Sequence, residues 1–539
     1  MWKSTRVLPI FVAIMLFPIC QNASAEGESR FMNPLLPGFH ADPSICRVGD
    51  DYYLATSSFE YFPGVPIYHS KDLLHWEQIG YALTRKSQLD LTKVASSGGI
   101  YAPTIRYHNG RYYLITTSVG HKGNFYMTAT DPAGPWSDPT WIDPDGIDPS
   151  LFFEGDKVYY TRQVDGRHGY SGQQLLNLQS GQLEGEMKEL WRGTGGVWPE
   201  GPHLYKVKDK YYLMISEGGT SYEHSLTVAR SDSPWGPFEA NPDNPILSHE
   251  HQPENPFQAM GHGDLVETPD GWWVVFLGIR PQGGHYHHLG RETFLAPVSW
   301  NDAGWPVINE GQPIGEKMNG PYLRPHPWPQ EPARDDFDQE KLRVCYQFVR
   351  HLDAGNYSLT ERPGWLRLHG VAATLDDVAV PTFIGRAQPG LECHVATKLA
   401  FEPAGKNEEA GLALRGNENN HCEAGLRLVD GKRQIFFRTV LGGEEKLSIL
   451  PGEVPAGEVI FSLEAKPLVY ELYCQTADGP PQCLGALPTR NLSSEVLTAQ
   501  PGAAFNFTGV YVGLYATGNG EQNAAPADFD WFDCRCDRP

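Results

Sequence analysis

Cysteine is scarce in this chain. The 539 residues contain nine cysteines. Cys20 and Cys46 are the first two, and the other seven all lie between Cys345 and Cys536. This spacing is not that of a compact disulfide framework, and the absence of a CxxC pair argues against a structural zinc site. The uneven distribution also predicts a domain boundary before Cys345.

Two predictions concern individual cysteines. Cys474 and Cys483 flank a turn of sequence Asp-Gly-Pro-Pro, and we predict a disulfide between them. Cys46 has no neighbouring cysteine and is predicted to be a free thiol in the core.

Basic residues are also few relative to acidic ones. The chain has 43 Lys and Arg residues against 65 Asp and Glu, which gives a formal net charge of −22. Such a surface repels phosphate backbones and anionic lipids. We therefore expect no nucleic-acid partner and no insertion into a membrane.

Long apolar runs are absent apart from residues 7–19. Lys3 and Arg6 precede this run, and Ala23-Ser24-Ala25 follows it. That order is typical of a secretory signal peptide, residues 1–25, with cleavage after Ala25. A membrane anchor is the weaker interpretation, because the run is too short to span a bilayer. The protein is predicted to be exported, to the periplasm or the medium.

The rest of the first half contains a fivefold repeat. Each copy is a polar turn followed by a strand of aromatic and aliphatic residues: GDDYYLATS, NGRYYLITTS, GDKVYYTRQ, KDKYYLMIS and DGWWVVFLG. A further strand precedes each turn at a fixed distance, as in a β-hairpin. Repeats of this length made of short strands predict an all-β fold, a five-bladed β-propeller over residues 26–320. A β-helix is the alternative, although its repeats are shorter.

The repeat places polar residues at one end of the propeller. In a propeller the innermost strands surround the axis, so equivalent positions of the five blades lie close together. The position that begins these strands is occupied by Asp42, Ala102, Asp148, Gly201 and His262, with Glu200 one residue away. A single Asp before Pro-Ser can simply cap a turn. Three acids packed around one axis raise one another's pKa, which costs stability. Such an arrangement is usually kept only where it serves a function.

Carboxylates without a metal motif or a nucleophilic Ser or Cys indicate hydrolysis of glycosidic bonds. In this chemistry one acid protonates the leaving oxygen, and a second carboxylate activates water or attacks the sugar. His285, His287 and His288 could be interpreted as a metal cluster, but they lack a carboxylate at suitable spacing. We expect no metal site among them.

At this point the sequence resembles glycoside hydrolase family 43, in particular its two-domain β-xylosidases and α-L-arabinofuranosidases. The matching motifs run in family order along the propeller: HADPSICRVGDDYYLATSS, GGIYAPTIR, GIDPSLFF, WPEGPHLYK, EGGTSYEH, GHGDLV and LGRETFL. The resemblance implies an inverting enzyme that removes single pentoses from the non-reducing ends of hemicellulose-derived oligosaccharides.

The resemblance also implies roles for individual residues. Asp42 matches the general base, Glu200 the general acid, and Asp148 the carboxylate that orients the acid and tunes its pKa. The residues that it implies bind the sugar are Phe59, Tyr101, Ala102, Thr220, His262 and Arg291. Tyr101 departs from the tryptophan common in xylosidases, which leaves the sugar open between xylose and arabinose. The longer Tyr-Glu-His and Gln-Gly-Gly-His-Tyr-His-His loops also depart from plain xylosidases and favour arabinose. No cofactor is required, although relatives allow a calcium ion near His262.

Two other functions are weighed against this one. A retaining, invertase-type propeller hydrolase would carry Asn-Asp-Pro, Arg-Asp-Pro and Glu-Cys motifs, where this chain has HADPS, GIDPS and WPEGP. A catalytically inactive glycan-binding propeller would not need all three carboxylates.

Beyond the repeats, residues 321–334 are rich in proline and predict a linker. Alternating strands over residues 335–539 predict a β-sandwich. The resemblance implies that a loop of this second domain narrows the pocket, and FNFTGVYVG, around Phe507, is the candidate. The sequence leaves the oligomeric state open.

Overall fold

The computed structural model describes Met1 and residues 29–142, 145–477, 479–502, 504–522 and 525–536. Apart from Met1, the predicted signal peptide lies outside the described residues, so export stays a prediction. Within these ranges, no helix combines the length and the apolar character needed to cross a membrane.

The first half of the chain forms five antiparallel sheets, each built from successive strands, except that the short strand Tyr61–Phe62 is left out of the first sheet. Turns rich in Gly, Asn and Asp separate strands with alternating aromatic and aliphatic residues, which pack between neighbouring sheets. The strands of this half are β1 (Ser29–Met32), β2 (Ser44–Val48), β3 (Asp51–Ala55), β4 (Tyr61–Phe62), β5 (Gly64–Ser70), β6 (Glu77–Leu83), β7 (Gly99–Ile100), β8 (Thr104–His108), β9 (Arg111–Val119), β10 (Gly123–Ala129), β11 (Thr140–Trp141), β12 (Ile147–Glu154), β13 (Lys157–Val164), β14 (Tyr170–Asn177), β15 (Gln182–Trp191), β16 (Glu200–Val207), β17 (Lys210–Glu217), β18 (Ser225–Ser231), β19 (Glu239–Ala240), β20 (Leu247–Ser248), β21 (Gln258–Thr268), β22 (Gly271–Ile279), β23 (Glu292–Trp300), β24 (Pro306–Ile308) and β25 (Lys317–Gly320).

These sheets are the five blades of a propeller. The innermost strands are β2, β8, β12, β16 and β21, and each contacts the next around the ring, with β21 returning to β2. The prediction of a five-bladed propeller is confirmed, and the β-helix alternative is wrong. Outside the blades, β1 pairs with β25.

A buried carboxylate links four of the blades on the axis. Asp264, on β21, accepts hydrogen bonds of 2.7 Å from Ser44 Oγ of β2, Arg106 Nη1 of β8 and Tyr205 Oη of β16. Its partners include a cation and hydroxyls, which offset the cost of burying the charge. The innermost strands of these four blades are thereby held in fixed relative positions near the end of the propeller that carries Asp42 and His262, which we call the mouth.

The second half of the chain is a β-sandwich of two large sheets. One sheet has the order β28-β29-β40-β31-β36-β37-β38, with β26 on β40, and the other has the order β35-β34-β33-β32-β39-β30-β27-β4. Leucine, valine and phenylalanine side chains fill the space between them. The strands are β26 (Arg334–Asp335), β27 (Gln347–Val349), β28 (Tyr357–Ser358), β29 (Leu366–Leu368), β30 (Thr382–Ala387), β31 (Cys393–Ala400), β32 (Glu409–Asn417), β33 (Asn420–Val429), β34 (Lys432–Leu441), β35 (Glu444–Ile449), β36 (Glu458–Lys466), β37 (Val469–Thr476), β38 (Gln482–Pro488), β39 (Tyr511–Thr517) and β40 (Ala527–Cys536).

Helix is rare in the described residues. The α-helix α1 (Ser494–Thr498) follows a 3₁₀ turn at Thr489–Leu492, and Ser493 caps its start by accepting from Val496 N–H. The other 3₁₀ turns are Gly166–His168, Asn309–Gly311 and Ala354–Asn356.

The two halves share one sheet. Strand β4 lies within the propeller sequence, yet it pairs with β27 at the edge of the sandwich, with Phe62 opposite Phe348 and Tyr61 opposite Val349. Residues 321–333 contain no strand or helix, and Trp328 Nε1 donates to the carbonyl of His75 in the first blade. The predicted linker therefore lies along the propeller; its boundaries with the two domains stay a prediction.

The predicted disulfide is wrong. Cys474 and Cys483 are both free, and the bond joins Cys393 to Cys536, which lie directly opposite each other on β31 and β40. Cys474 pairs across the ladder with Gln482, one position from Cys483, so the two side chains point to opposite faces of the sheet. Cys46 is a free, buried thiol, as predicted.

Candidate active site

Backbone irregularities aim the side chains at the mouth of the propeller. Register shifts interrupt three innermost strands, between Ile147 and Ser150, Glu200 and His203, and Gly261 and Asp264. Such bulges redirect a side chain and are common beside active sites. The equivalent residues Asp42, Asp148, Gly201 and His262 all have positive φ, between 50° and 58°. This conformation is costly for a residue other than glycine, so the surrounding structure must impose it.

Asp42 is held as an ionised carboxylate. It is 3% exposed, and its two oxygens accept hydrogen bonds from Arg291 Nη1 at 2.7 Å and from Ser57 Oγ at 2.5 Å. His262 Nδ1 lies 3.8 Å from Asp42 Oδ1. Burial alone would raise the pKa of Asp42, but Arg291, His262 and Ser57 together outweigh it and lower the pKa. An ionised carboxylate can take a proton from water.

Glu200 is in the opposite state. Burial, and then the charges of Asp148 and Asp42, raise the pKa of Glu200 well above its usual value. The Glu200 side chain is nevertheless 15% exposed, so the carboxyl can reach a ligand. A protonated carboxyl at this position can donate a proton to a leaving oxygen.

Asp148 lies between these two extremes. It is buried, and Gly201 N–H donates to its Oδ2 at 3.2 Å. Burial, with a contribution from Asp42, raises the pKa of Asp148 to about 6. The bond from Gly201 links Asp148 to the residue next to Glu200, which fixes the relative position of the two acids.

Aromatic rings from both halves of the molecule form one wall. Phe507 stacks on Phe59 with 5.6 Å between ring centroids, and Tyr101 lies 5.0 Å from Phe59. Ala102, next to Tyr101, is buried. Ser97 joins these elements, because its Oγ accepts from Phe507 N–H at 2.8 Å and its carbonyl accepts from Tyr101 Oη at 3.1 Å. The loop predicted from the sandwich therefore does reach the propeller site.

The approach of this loop depends on two glycines. A Cβ atom on Gly509 would lie 2.0 Å from Leu289 O, and one on Gly290 would lie 2.7 Å from Gly509 N. Both distances are shorter than any real contact, so the two backbones can meet only without side chains. Val510 N–H then donates to the carbonyl of His288 at 2.9 Å.

Arg291 connects the wall to the carboxylates. Besides its bond to Asp42, its Nη2 donates to Phe507 O at 3.3 Å, and its guanidinium lies over the rings of Phe59 and Phe507. Its Nε is buried and has no hydrogen-bond partner among the described residues. An unpaired buried donor is costly, and a ligand hydroxyl would satisfy it.

A cavity of about 290 Å³ opens at this junction of propeller and sandwich. Its wall combines both halves of the molecule: Thr220, His224 and Arg291 from the propeller, and Ser494, Glu495 and Phe505 from the sandwich. Since Arg291 contacts Asp42, and His224 lies 3.8 Å from Glu200, the cavity adjoins the carboxylates. All nine residues predicted for the site therefore lie at this mouth or in the adjoining cavity.

The three histidines near Arg291 do not converge. His287 pairs with Glu495 at 2.6 Å, His285 faces Tyr222, and His288 meets the ring of Tyr470. The described residues contain no group of three or more His, Cys, Asp or Glu side chains that could hold a metal ion. Calcium beside His262 stays a prediction, and no chemical step proposed below depends on it.

Ser57, Ser97 and His224 contact predicted site residues but were not themselves predicted. His224 is the last residue of the motif EGGTSYEH, from which Thr220 is predicted to bind the sugar. The same motif could therefore have indicated His224 as well. Nothing in the sequence marks Ser57 or Ser97, because their partners Asp42 and Phe507 meet them only through tertiary contacts.

A buried carboxylate whose pKa is lowered and a partly exposed one whose pKa is raised, together in the mouth of a five-bladed propeller, are the arrangement that a glycosidase requires. Two family models cover most of the chain. Residues 31–306 match Glycosyl hydrolases family 43, and residues 334–535 match the Beta xylosidase C-terminal Concanavalin A-like domain. The chain belongs to glycoside hydrolase family 43, which excludes the invertase-type alternative.

Several similar proteins match nearly the whole chain. A non-reducing end alpha-L-arabinofuranosidase of Bacteroides ovatus, BoGH43B, is 45% identical over 99% of both chains. A xylosidase/arabinosidase of Butyrivibrio fibrisolvens is 40% identical over 93% of this chain and 98% of its own. Among solved structures, a xylan beta-1,4-xylosidase from Bacillus halodurans has a TM-score of 0.88 at 37% identity, covering 94% of this chain and all of the other.

Proposed function

We propose that this protein is an inverting, exo-acting glycosidase that releases terminal pentoses, α-L-arabinofuranose, β-D-xylose or both, from hemicellulose-derived oligosaccharides. One observation carries the proposal: the site lowers the pKa of Asp42 and raises the pKa of Glu200. Simultaneous base and acid catalysis requires two carboxyl groups whose pKa values are shifted in opposite directions.

The reaction follows from these protonation states. Asp42 removes a proton from water as the oxygen attacks the anomeric carbon, and Glu200 gives its proton to the glycosidic oxygen as the bond to carbon breaks. The products are the free sugar, with inverted configuration, and an alcohol. Asp42 then loses its proton to solvent and Glu200 regains one, which restores the starting state.

The neighbouring residues support this chemistry in different ways. Asp148 keeps the pKa of Glu200 raised through its negative charge, and its bond to Gly201 fixes the acid in position. Arg291 holds Asp42 and has an unpaired Nε for a sugar hydroxyl. His262, buried beside Asp42, is a second candidate for binding the sugar.

Action at chain ends is supported by the aromatic wall. Phe507 of the sandwich packs on Phe59 and Tyr101, which closes one side of the pocket. Pentose substrates are supported by the names of the relatives, one a non-reducing end alpha-L-arabinofuranosidase and the other a xylosidase/arabinosidase. We favour arabinofuranose as the better substrate because the former is the more similar of the two.

Two measurements test the proposal. Proton NMR of the first product formed from an aryl pentoside should show the inverted anomer, and retention would contradict the role of Asp42 as base. Digestion of arabinoxylan should release monosaccharide without a rapid fall in viscosity. Early formation of mixed oligosaccharides would instead show an endo-acting enzyme. Values of kcat/KM for paired α-L-arabinofuranosides and β-D-xylosides decide the sugar.

We also propose export to the periplasm or the medium. The N-terminal charged and apolar residues support it, and so does the disulfide between Cys393 and Cys536, since disulfides persist in oxidising compartments. Fractionation of cells producing the full chain, with N-terminal sequencing of the exported protein, tests both export and cleavage after Ala25.

A further inference from the structure

His224 is a buried histidine that the reaction described above does not use. It immediately precedes β18 and is 1% exposed. Its ring rests on the backbone of Gly261, where an added Cβ would lie 2.4 Å from ring atoms. The ring is therefore confined to one position beside the carboxylates.

The contacts of the ring define its tautomer. Nδ1 lies 3.3 Å from the carbonyl oxygen of Ala259, which can only accept, so Nδ1 carries the hydrogen. Nε2 is then a hydrogen-bond acceptor. It is buried, has no hydrogen-bond partner among the described residues, and lies 3.8 Å from Glu200 Oε1. A movement of about 1 Å by the Glu200 side chain would bring the two atoms to hydrogen-bond distance.

We propose that His224 is a positioning residue for Glu200, whose protonated carboxyl donates a hydrogen bond to Nε2 and is thereby kept protonated and oriented until substrate binds. An acceptor with no hydrogen can bond the carboxylic acid but not the carboxylate. The contact therefore stabilises the protonated form alone. When the glycosidic oxygen takes the proton, His224 loses its donor and remains neutral.

The charges around the pair are consistent with a neutral ring. Burial first, and then His262 and Arg291, lower the pKa of His224 to about 3, although Asp42 opposes them. Glu200 faces Asp148 and Asp42, which favour its protonated form, and Arg291, which opposes it. His224 thus adds a short-range, directional contribution to an effect that the two aspartates exert through charge.

The inference rests on the proposed role of Glu200 as general acid, and the experiment separates the two. The pH dependence of kcat/KM is measured for wild type, His224→Phe and His224→Gln on an alkyl or nitrophenyl glycoside and on a dinitrophenyl glycoside. His224→Phe should move the alkaline limb to lower pH by about one unit. It should also lose about tenfold on the poorer leaving group and less on the dinitrophenyl substrate. His224→Gln keeps an acceptor oxygen and should recover part of both effects.

His288 provides the matched control. It is also buried, its Nε2 also has no hydrogen-bond partner among the described residues, and burial also lowers its pKa to about 3, but its ring faces Tyr470 instead of an acid. His288→Phe should leave the alkaline limb where it is. Equal shifts in the two phenylalanine variants, or a limb unmoved in a folded His224→Phe, would overturn the proposal.

Infrared spectroscopy provides a test that does not depend on the His224→Phe variant folding. The carbonyl band of a protonated carboxyl, assigned by its loss in Glu200→Gln, should persist to a higher pH in wild type than in His224→Ala, which has no acceptor, with His224→Gln between the two. Identical titrations in wild type and His224→Ala would contradict the inference. If Glu200→Gln instead shows no dependence on the leaving group, the proposed acid itself is wrong, which is a separate failure.

Discussion

Arg291 Nη1 donates to Asp42 Oδ1 across 2.7 Å, although the two residues are 249 positions apart in the chain. The pair closes the ring of blades, since Asp42 begins the first blade and Arg291 lies just before β23 of the fifth. It also favours the ionised form of Asp42, because Arg291 is the largest of the influences that lower the pKa of this carboxylate.

Replacing Arg291 should therefore change the acidic limb of the pH profile. A base works only when ionised, so activity falls as the pH drops through its pKa. Arg291→Gln removes the positive charge while burial remains, which raises the pKa of Asp42 and should move the acidic limb of kcat/KM upward by about 1–3 units. Arg291→Lys keeps the charge and is the control. An acidic limb that stays in place in Arg291→Gln would show that Asp42 is not the base.

Glu200 and Asp42 should differ in their response to the leaving group. Glu200→Gln should lose about 10²–10⁴-fold in kcat on natural glycosides, and distinctly less on dinitrophenyl glycosides, whose leaving group needs no proton. Asp42→Asn should be severely impaired on both, because activation of water is needed whatever departs. Both variants are assayed after circular dichroism confirms folding. The same leaving-group dependence in the two would refute the assignment of acid and base.

Asp148 should affect the alkaline limb. Its negative charge opposes ionisation of Glu200, so Asp148→Asn should lower the pKa of Glu200 and move the alkaline limb of kcat/KM to lower pH. The direction is opposite to that expected for the acidic limb in Arg291→Gln. Asp148→Glu retains the charge and serves as the comparison. A shift to higher pH would mean that Asp148 acts on Glu200 other than by charge.

Phe507 tests the contribution of the sandwich to the site. Phe507→Ala removes a ring that stacks on Phe59, an interaction of about 0.5–1.5 kcal/mol beyond buried area. We expect a decrease in kcat/KM of about tenfold with little change in thermal stability. Tyr107→Ala removes a ring that is 39% exposed on β8 and should leave activity unchanged. Equal activity of the two variants would show that the loop does not shape the pocket.

The disulfide between Cys393 and Cys536 should stabilise the sandwich. It closes a segment of 143 residues, and its loss in Cys393→Ser/Cys536→Ser should reduce the free energy of unfolding by about 2–5 kcal/mol. Denaturant titration with and without reductant measures this. Cys483→Ser, at an exposed free cysteine, is the control and should unfold like wild type. If the first variant were still sensitive to reductant and the control variant were not, the disulfide would instead join Cys474 to Cys483, as the sequence predicts.

Local repetition explains what could be predicted. The chain contains five copies of one turn and strand, and in each copy a Pro or Gly lies nine residues before the first aligned residue of the strand. This repeat is enough to predict the blades, because each hairpin needs only neighbouring residues. Because the blades surround one axis, the same alignment also brings Asp42, Asp148, Glu200 and His262 to one mouth. The resemblance to the family motifs then predicted Arg291, and the resemblance of the second domain predicted the loop of Phe507.

The tertiary structure alone decided how these residues behave. The difference in pKa between Asp42 and Glu200 arises from burial and from Arg291, whose distance from Asp42 depends on closure of the ring. The contact of His224 with Glu200, the sharing of a sandwich sheet by β4, and the pairing of Cys393 with Cys536 also join segments distant in sequence. Sequence periodicity determines which strands form, whereas a hydrogen bond or disulfide requires atoms within a few ångströms, and only packing of the folded chain sets such distances.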